Sequence, residues 1–235
     1  MARAPLVLLT RPQDASDRFA KRLAAQWPGL EVIIAPLQAV RFVQWQRPQS
    51  PPDALIFTSQ NAVDAVAMAG LEGLAYCVGN QTADRAARAG FRAISAEGGA
   101  RDLVARILAD GPKSVWHLRG REARGEVAGQ LRRHGLAVFE AEVYEMTAVA
   151  LDPAAKALLG SGRPVLLPLF SPKSAVRAAA ALAGTPASLV VLALSEAVAR
   201  AAKDIPARFR LVSKRPDADG MLEIVDEALI SGALS

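Results

Sequence analysis

Short apolar runs alternate along the chain with longer stretches in which apolar side chains recur every three or four residues. The runs fall at 6–10, 31–35, 54–58, 76–78, 93–95, 114–118, 137–140, 165–170, 189–194 and 209–212. Most are continuous in Val, Leu, Ile and Ala rather than alternating with polar residues, as expected of strands covered on both faces. Between them, 15–26 carries Phe19 and Leu23 four residues apart with Trp27 next in the series, and 61–69 carries Ala62, Val63 and Val66 on one side. That spacing predicts amphipathic helices. Strand and helix in alternation predict βαβ units and parallel sheets, an α/β fold throughout.

The pattern also repeats. Phe57-Thr58-Ser59-Gln60-Asn61-Ala62-Val63 has a counterpart in Phe170-Ser171-Pro172-Lys173-Ser174-Ala175-Val176, and Val78-Gly79-Asn80-Gln81-Thr82-Ala83 has one in Leu194-Ser195-Glu196-Ala197-Val198-Ala199. In each copy a strand ends in a small hydroxyl-bearing turn, a helix follows, and a second strand delivers another such turn. Leu9-Thr10-Arg11-Pro12 resembles Leu118-Arg119-Gly120-Arg121 in the same way, but the first Arg turn precedes its Thr-Ser strand and the second follows. If each lobe needs one Arg turn, a middle lobe of about 40–142 takes Arg119, and the other lobe combines 1–36 with 148–235. The chain then crosses between lobes twice, through 37–52 and 140–150. Within them Leu37–Trp45 and Glu140–Ala150 read as extended, and the first runs into Pro48, Pro51 and Pro52, which exclude a helix. A paired two-strand linker between two lobes leaves a cleft, a common place for a small ligand.

Composition supports a folded chain: 235 residues, 51% hydrophobic and 22% charged, with only 5% aromatic. The net charge of +5 turns attention to anionic partners. Arg and Lys stand singly or in pairs with no basic run and no interleaved aromatics, which disfavours nucleic acid. A lone cysteine, Cys77, allows no internal disulfide and points to a reducing compartment. The first apolar run is too short for a signal-peptide core, and no stretch reaches the length of a membrane span. The expectation is a cytoplasmic protein with no membrane partner.

In α/β folds, ligands bind at the carboxyl ends of parallel strands, where helix N-termini present unpaired N–H groups. That makes Thr58, Ser59, Asn61, Gly79, Thr82, Ser171, Lys173, Ser174 and Ser195 candidate binding residues. Any one hydroxyl among them could equally cap its own helix; their recurrence in both halves favours a ligand. Arg11 and Arg119 end equivalent strands and suit bidentate carboxylate contacts, with Arg121 and Arg124 following the second. His117 and His134 have no metal-ligand spacing with Cys77 or an acidic pair, and His117, inside an apolar run, reads as a core residue. No Gly-x-Ser-x-Gly elbow, phosphate loop or Gly-x-Gly-x-x-Gly turn is present. Tyr144 stands in the second crossover, where its hydroxyl could donate a proton; on the residues alone it reads as a hinge residue packing its ring.

Taken in order, Leu-Leu-Thr-Arg-Pro at 8–12, Thr-Ser-Gln-Asn-Ala-Val at 58–63, Val-Gly-x-x-Thr-Ala at 78–83, Leu-Arg-Gly at 118–120, Tyr144 and Ser171-Pro172-Lys173-Ser174-Ala175 resemble the uroporphyrinogen-III synthase family over nearly the whole chain. The resemblance implies two flavodoxin-like lobes on a two-stranded linker, the first lobe discontinuous in sequence. It implies a monomeric, cofactor-free enzyme whose substrate, hydroxymethylbilane, bears eight carboxylates and is handed over by hydroxymethylbilane synthase. It also implies that Tyr144 helps the substrate hydroxyl leave, while the Thr58–Asn61, Thr82 and Ser171–Ser174 turns hold carboxylates through backbone N–H groups.

Two features depart from the expected pattern. Ser195 and Val198 stand where the family often has Gly and Thr, which puts one contact of that turn in question. Pro168, inside an apolar run, removes a ladder donor and suggests an edge strand or a bulge. The competing reading is a non-catalytic two-lobed ligand-binding or sensor module.

Overall fold

A run of consecutive apolar residues can lie in a strand only if both faces of the sheet are covered, and both sheets of this protein are built that way. The computed structural model describes residues 5–122, 126–185 and 188–231. The chain opens with β1 (Leu6–Leu9), α1 (Gln13–Gln26), β2 (Glu31–Ile34) and β3 (Gln38–Phe42). It continues through β4 (Ala54–Phe57), α2 (Gln60–Met68), β5 (Leu74–Cys77), α3 (Asn80–Arg88), β6 (Arg92–Ser95), α4 (Ala100–Asp110), β7 (Ser114–Gly120), α5 (Val127–Arg133) and β8 (Ala137–Ala148). It ends with α6 (Pro153–Leu159), β9 (Pro164–Leu169), α7 (Pro172–Leu182), β10 (Ser188–Ala193), α8 (Glu196–Ala201), β11 (Ala207–Val212) and α9 (Ala218–Ile230). By contact these form two compact units, Met1–Ala39 with Ala148–Ser235, and Val40–Thr147.

The first unit holds a five-stranded sheet in the order β11-β10-β9-β1-β2, with every recorded pair parallel. Successive residues alternate between two cores: Leu6, Leu8, Val165 and Leu167 belong to one, and Val7, Leu9 and Leu166 to the other with Phe19 and Leu23 of α1. Counted within the unit, the order is the flavodoxin arrangement 2-1-3-4-5, and its direction reverses between β1 and β9. Pro168 corrects the expectation of an edge strand or bulge. β9 is the central strand, and its register with β10 runs unbroken from Pro164 to Leu169. The pairing of β9 with β1 covers only Val165 and Leu166. The proline therefore sits beyond the end of that ladder, where a missing N–H costs no bond.

The second unit holds six strands in the order β3-β8-β7-β4-β5-β6. Pairs among β4, β5, β6, β7 and β8 are parallel. β3 runs antiparallel to β8: the Val43 N–H donates to the Val143 carbonyl at 2.9 Å, and the Val149 N–H to the Leu37 carbonyl at 3.1 Å. Without β3 the order is 3-2-1-4-5, the other doubly wound arrangement, which reverses between β4 and β7. A fully buried Leu or Val adds roughly 1.5–3 kcal/mol, whereas a helix cap adds about 1 kcal/mol. Stability thus resides in the sheets, and the turns at their carboxyl ends are at liberty to serve a ligand.

Candidate active site

In a doubly wound sheet the point where strand order reverses leaves a crevice beyond the carboxyl ends of two neighbouring strands. In the second unit those strands are β4 and β7, and the residues at their carboxyl ends are Thr58-Ser59, just past β4, and Gly120-Arg121, the last residue of β7 and the one after it. Ser59 is the N-cap of α2, its hydroxyl accepting from the Asn61 N–H at 3.2 Å. One strand over, Gly79 is the N-cap of α3 in extended backbone that any residue could adopt, and a Cβ there would meet nothing within 4 Å. Its value is an uncovered turn, open to approach. Thr82 is buried in the first turn of α3, and the Gln60 side chain donates to Gln81 at 3.4 Å, tying the two turns together.

Tyr144 lies on β8 beside the end of β7. The register pairs Arg119 with Glu142 but Gly120 with Tyr144, so Val143 is an extra residue on β8. This β-bulge turns Val143 and Tyr144 onto one face, where both join the cluster of Leu118, Phe57 and Trp116. The half-buried Tyr144 ring lies over the Gly120 α-carbon, and among the described residues its hydroxyl has no hydrogen-bond partner.

The opposite face of the bulge carries charge. Arg119 donates from Nε to Glu140 at 2.5 Å, stands 3.6 Å from Glu142, and donates to the Gly120 carbonyl at 2.9 Å. These contacts turn its Nε and Nη1 toward β8 and its own strand end. The cause is cross-strand pairing with β8, invisible in a one-dimensional pattern. Arg121 bonds Glu142 at 3.0 Å and also Glu145. Glu145 is buried between Arg121 and Arg41, whose Nε lies 2.7 Å away. The Arg41 bond, with Arg121 adding, holds the Glu145 carboxyl below its usual range against the opposing effect of burial. At Glu140 burial acts upward, but the Arg119 bond and charge outweigh it. Arg124 lies outside the described residues.

His117 is a core residue, 2% exposed, with no partner for either ring nitrogen among the described residues. Burial pushes its pKa down to about 4 against the pull of Glu140, whose carboxylate is 3.8 Å from Nδ1. His117 is therefore neutral at physiological pH and keeps its place as packing.

In the first unit the reversal point lies between β1 and β9, and the residues beyond them are Thr10-Arg11 and Phe170-Ser171. The Arg11 guanidinium sits over the Phe170 ring, 4.0 Å from its centroid, a contact that orients the charge without neutralising it. Burial and then Arg18 lower its pKa, and among the described residues no carboxylate pairs with it. Arg11 is thus a half-buried arginine at a reversal point with no counter-carboxylate among the described residues. Beside it, Ser171 and Ser174 form a capping box: the Ser171 hydroxyl accepts from the Ser174 N–H at 3.1 Å, and the Ser171 N–H donates to the Ser174 hydroxyl at 3.1 Å. Lys173 is exposed on the same turn. On the next strand, Ser195 caps α8 by accepting from the Val198 N–H at 3.4 Å. Val198 itself is buried in the core, so the residue that replaces the family's Thr packs inward, and Ser195 supplies the polar group of this turn.

The candidate residues thus fall into two groups, Thr58, Ser59, Asn61, Gly79, Thr82, Arg119 and Tyr144 at the carboxyl edge of one sheet, and Arg11, Ser171, Lys173, Ser174 and Ser195 at that of the other. Sequence reasoning does not single out Gly120, Glu145 or Phe170 as site residues. The Leu-Arg-Gly motif could flag Gly120, but nothing in the sequence signals the other two.

The model of the family "Uroporphyrinogen-III synthase HemD" matches residues 17–223. The chain belongs to the uroporphyrinogen-III synthase family. Its structure is similar to that of uroporphyrinogen-III synthetase from Helicobacter pylori 26695, with a TM-score of 0.58 and 17% identity over 95% of this chain and 99% of that one. A looser similarity, with a TM-score of 0.43 and 15% identity over 97% and 100% of the two chains, is to a mutant uroporphyrinogen III synthase from Thermus thermophilus. No curated protein sequence matches the chain. Family membership makes this uroporphyrinogen-III synthase relative an enzyme of tetrapyrrole synthesis acting on a small-molecule tetrapyrrole substrate. No described helix is long and apolar enough to cross a membrane.

Proposed function

We propose that this enzyme closes hydroxymethylbilane into uroporphyrinogen III, a hydro-lyase reaction in which water leaves and the last pyrrole ring is inverted. The observation that carries the reading is the family match over 17–223 together with Tyr144 beside the reversal point of the second sheet. Tyr144 protonates the departing hydroxyl as the C–O bond breaks, while the electron pair of the adjacent pyrrole nitrogen generates an azafulvene cation. The substituted carbon of the last ring attacks the azafulvene carbon, giving a spiro intermediate; the bond from that carbon to the bridge of the neighbouring ring then breaks, and the bridge carbon is recaptured by the free α-carbon of the last ring, which loses its proton and leaves the ring inverted. The pyrroles supply the electron push, so the protein's work is to fold the bilane, assist departure of the hydroxyl and exclude water. Carboxylates are held by Arg11 and by the N–H groups of the Thr58–Asn61, Gly79–Thr82, Ser171–Ser174 and Ser195 turns. On this reading the enzyme works as a monomer in the cytoplasm and receives hydroxymethylbilane from hydroxymethylbilane synthase.

The test is incubation with enzymatically generated hydroxymethylbilane and separation of the uroporphyrinogen isomers. Type III product is expected; type I alone, the product of spontaneous closure, would defeat the proposal. Tyr144→Phe should lower kcat by about 10²–10⁴-fold, the range for losing a general acid, with the thermal transition unchanged.

A further inference from the structure

Gly120 has no conformational reason to be glycine. Its φ is not positive, and it ends a regular strand. What glycine supplies is space, because a Cβ at this position would lie 2.5 Å from Cζ, 2.8 Å from the hydroxyl oxygen and 2.9 Å from Cε2 of Tyr144. All three distances are closer than non-bonded carbon approaches, so an alanine must push the phenol end of the ring away. The bulge that brings Tyr144 over Gly120 is stapled by Arg121, which bonds Glu142 before the extra residue and Glu145 after it. The Arg121 N–H also donates to the Tyr144 carbonyl at 3.0 Å. A bulge without such a staple could slip by one residue, and a one-residue slip sends every later side chain to the other face.

We propose that Gly120 and Arg121 are positioning residues for Tyr144: Gly120 is the seat of the phenol ring, and Arg121 locks the bulge that points the ring there. The inference rests on the reading of Tyr144 as the proton donor. Misplacing a reacting group by about 1 Å costs on the order of 100-fold in rate, so both residues act on turnover without touching the substrate.

The chain has two tyrosines, which makes ring-labelled tyrosine a direct probe. Tyr76, buried in β5 with its hydroxyl donating to Asp110 at 3.0 Å, reports whether the fold is intact, and Tyr144→Phe assigns the other signal. In Gly120→Ala the Tyr144 ring resonance should move while that of Tyr76 stays, with kcat falling about 100-fold and KM little changed. Added to Tyr144→Phe, the same substitution should cause no further loss. Arg121→Gln, at a half-exposed position, should leave the Tyr76 resonance in place, shift that of Tyr144 and lower kcat severalfold. An unmoved Tyr144 resonance in both folded variants overturns the proposal, as does a Gly120→Ala loss that persists undiminished in the Tyr144→Phe background. A moved resonance with wild-type turnover by Tyr144→Phe sustains the seat and instead removes Tyr144 from the chemistry.

Discussion

A histidine that is buried, neutral and unpaired makes this protein sensitive to acid at one identifiable residue. The folded-state pKa of His117 is depressed from 6.5 to about 4 by burial, and the groups facing it are Glu140, Arg119 and Arg132. Below pH 6.5 the unfolded chain takes up a proton that the folded chain refuses, so stability falls as pH falls through that interval. The slope for one such group is about 1.4 kcal/mol per pH unit, and roughly 3 kcal/mol is lost by pH 4. The depressed carboxyls of Glu140 and Glu145 act in the same sense at lower pH, since they stabilise the fold when ionised and cease to do so when protonated. Urea unfolding of His117→Leu at pH 7, 6 and 5 should show a flatter pH dependence than the wild type. Parallel profiles for the two proteins would mean that His117 is not the group responsible.

The capping turns pose a question at the scale of the element, because a hydroxyl engaged in capping leaves its helix N–H groups as the ligand-binding feature. Asp caps a helix as well as Ser does but places a negative charge where a substrate carboxylate is proposed to sit. Ser171→Asp and Ser59→Asp should therefore keep the thermal transition within a few degrees, the scale of a change below about 1 kcal/mol, while KM rises at least severalfold. Ser171→Ala should show the converse, a loss of about 1 kcal/mol with little change in KM. An unaltered KM in both Asp variants would reduce these turns to caps. The same distinction explains what is legible in the sequence. The strand runs and their turns can be read because burial on both faces imposes unbroken apolar runs and because helix starts demand small polar residues; the extended stretches at 37–45 and 140–150 correspond to β3 and the far half of β8. Sequence misleads at Pro168 and leaves the pairing of Arg119 unseen for a shared reason. What decides each is the neighbouring strand, Glu140 and Glu142 on β8 for the arginine and the short ladder with β1 for the proline, and sequence periodicity carries no record of lateral neighbours. The bulge at Val143 is hidden likewise, since one extra residue in a strand is visible only against the register of its partner.

At the scale of the whole molecule, the governing quantity is a net charge of +5, from 28 Lys and Arg against 23 Asp and Glu, meeting a substrate proposed to carry eight carboxylates. Much of the positive charge is locally spent: Arg41, Arg119, Arg121 and Arg132 all pair with Glu140, Glu142 or Glu145. Arg11, by contrast, sits over an aromatic ring that leaves its charge unneutralised. Attraction of the bilane should therefore have two ranges. The diffuse excess acts over distances comparable to the Debye length, about 10 Å at 0.1 M salt and about 3 Å at 1 M, and salt removes it. On the proposed reading the helix N–H groups and Arg11 act at contact, where water is displaced and screening is weak. Raising sodium chloride from about 0.05 to about 0.5 M, values chosen to span that change in screening, should lower kcat/KM severalfold through slower association. kcat should stay level, because the bond-making rests on the pyrroles and on Tyr144 rather than on distant charge. Arg11→Gln should raise KM at every salt concentration and leave the salt slope nearly unchanged, since it removes a contact and only one of many distant charges. A kcat that declines in step with kcat/KM would show that ionic pairs such as Arg121 with Glu145 are themselves being loosened by salt. Tyr144 would then be losing its support, not the substrate its attraction.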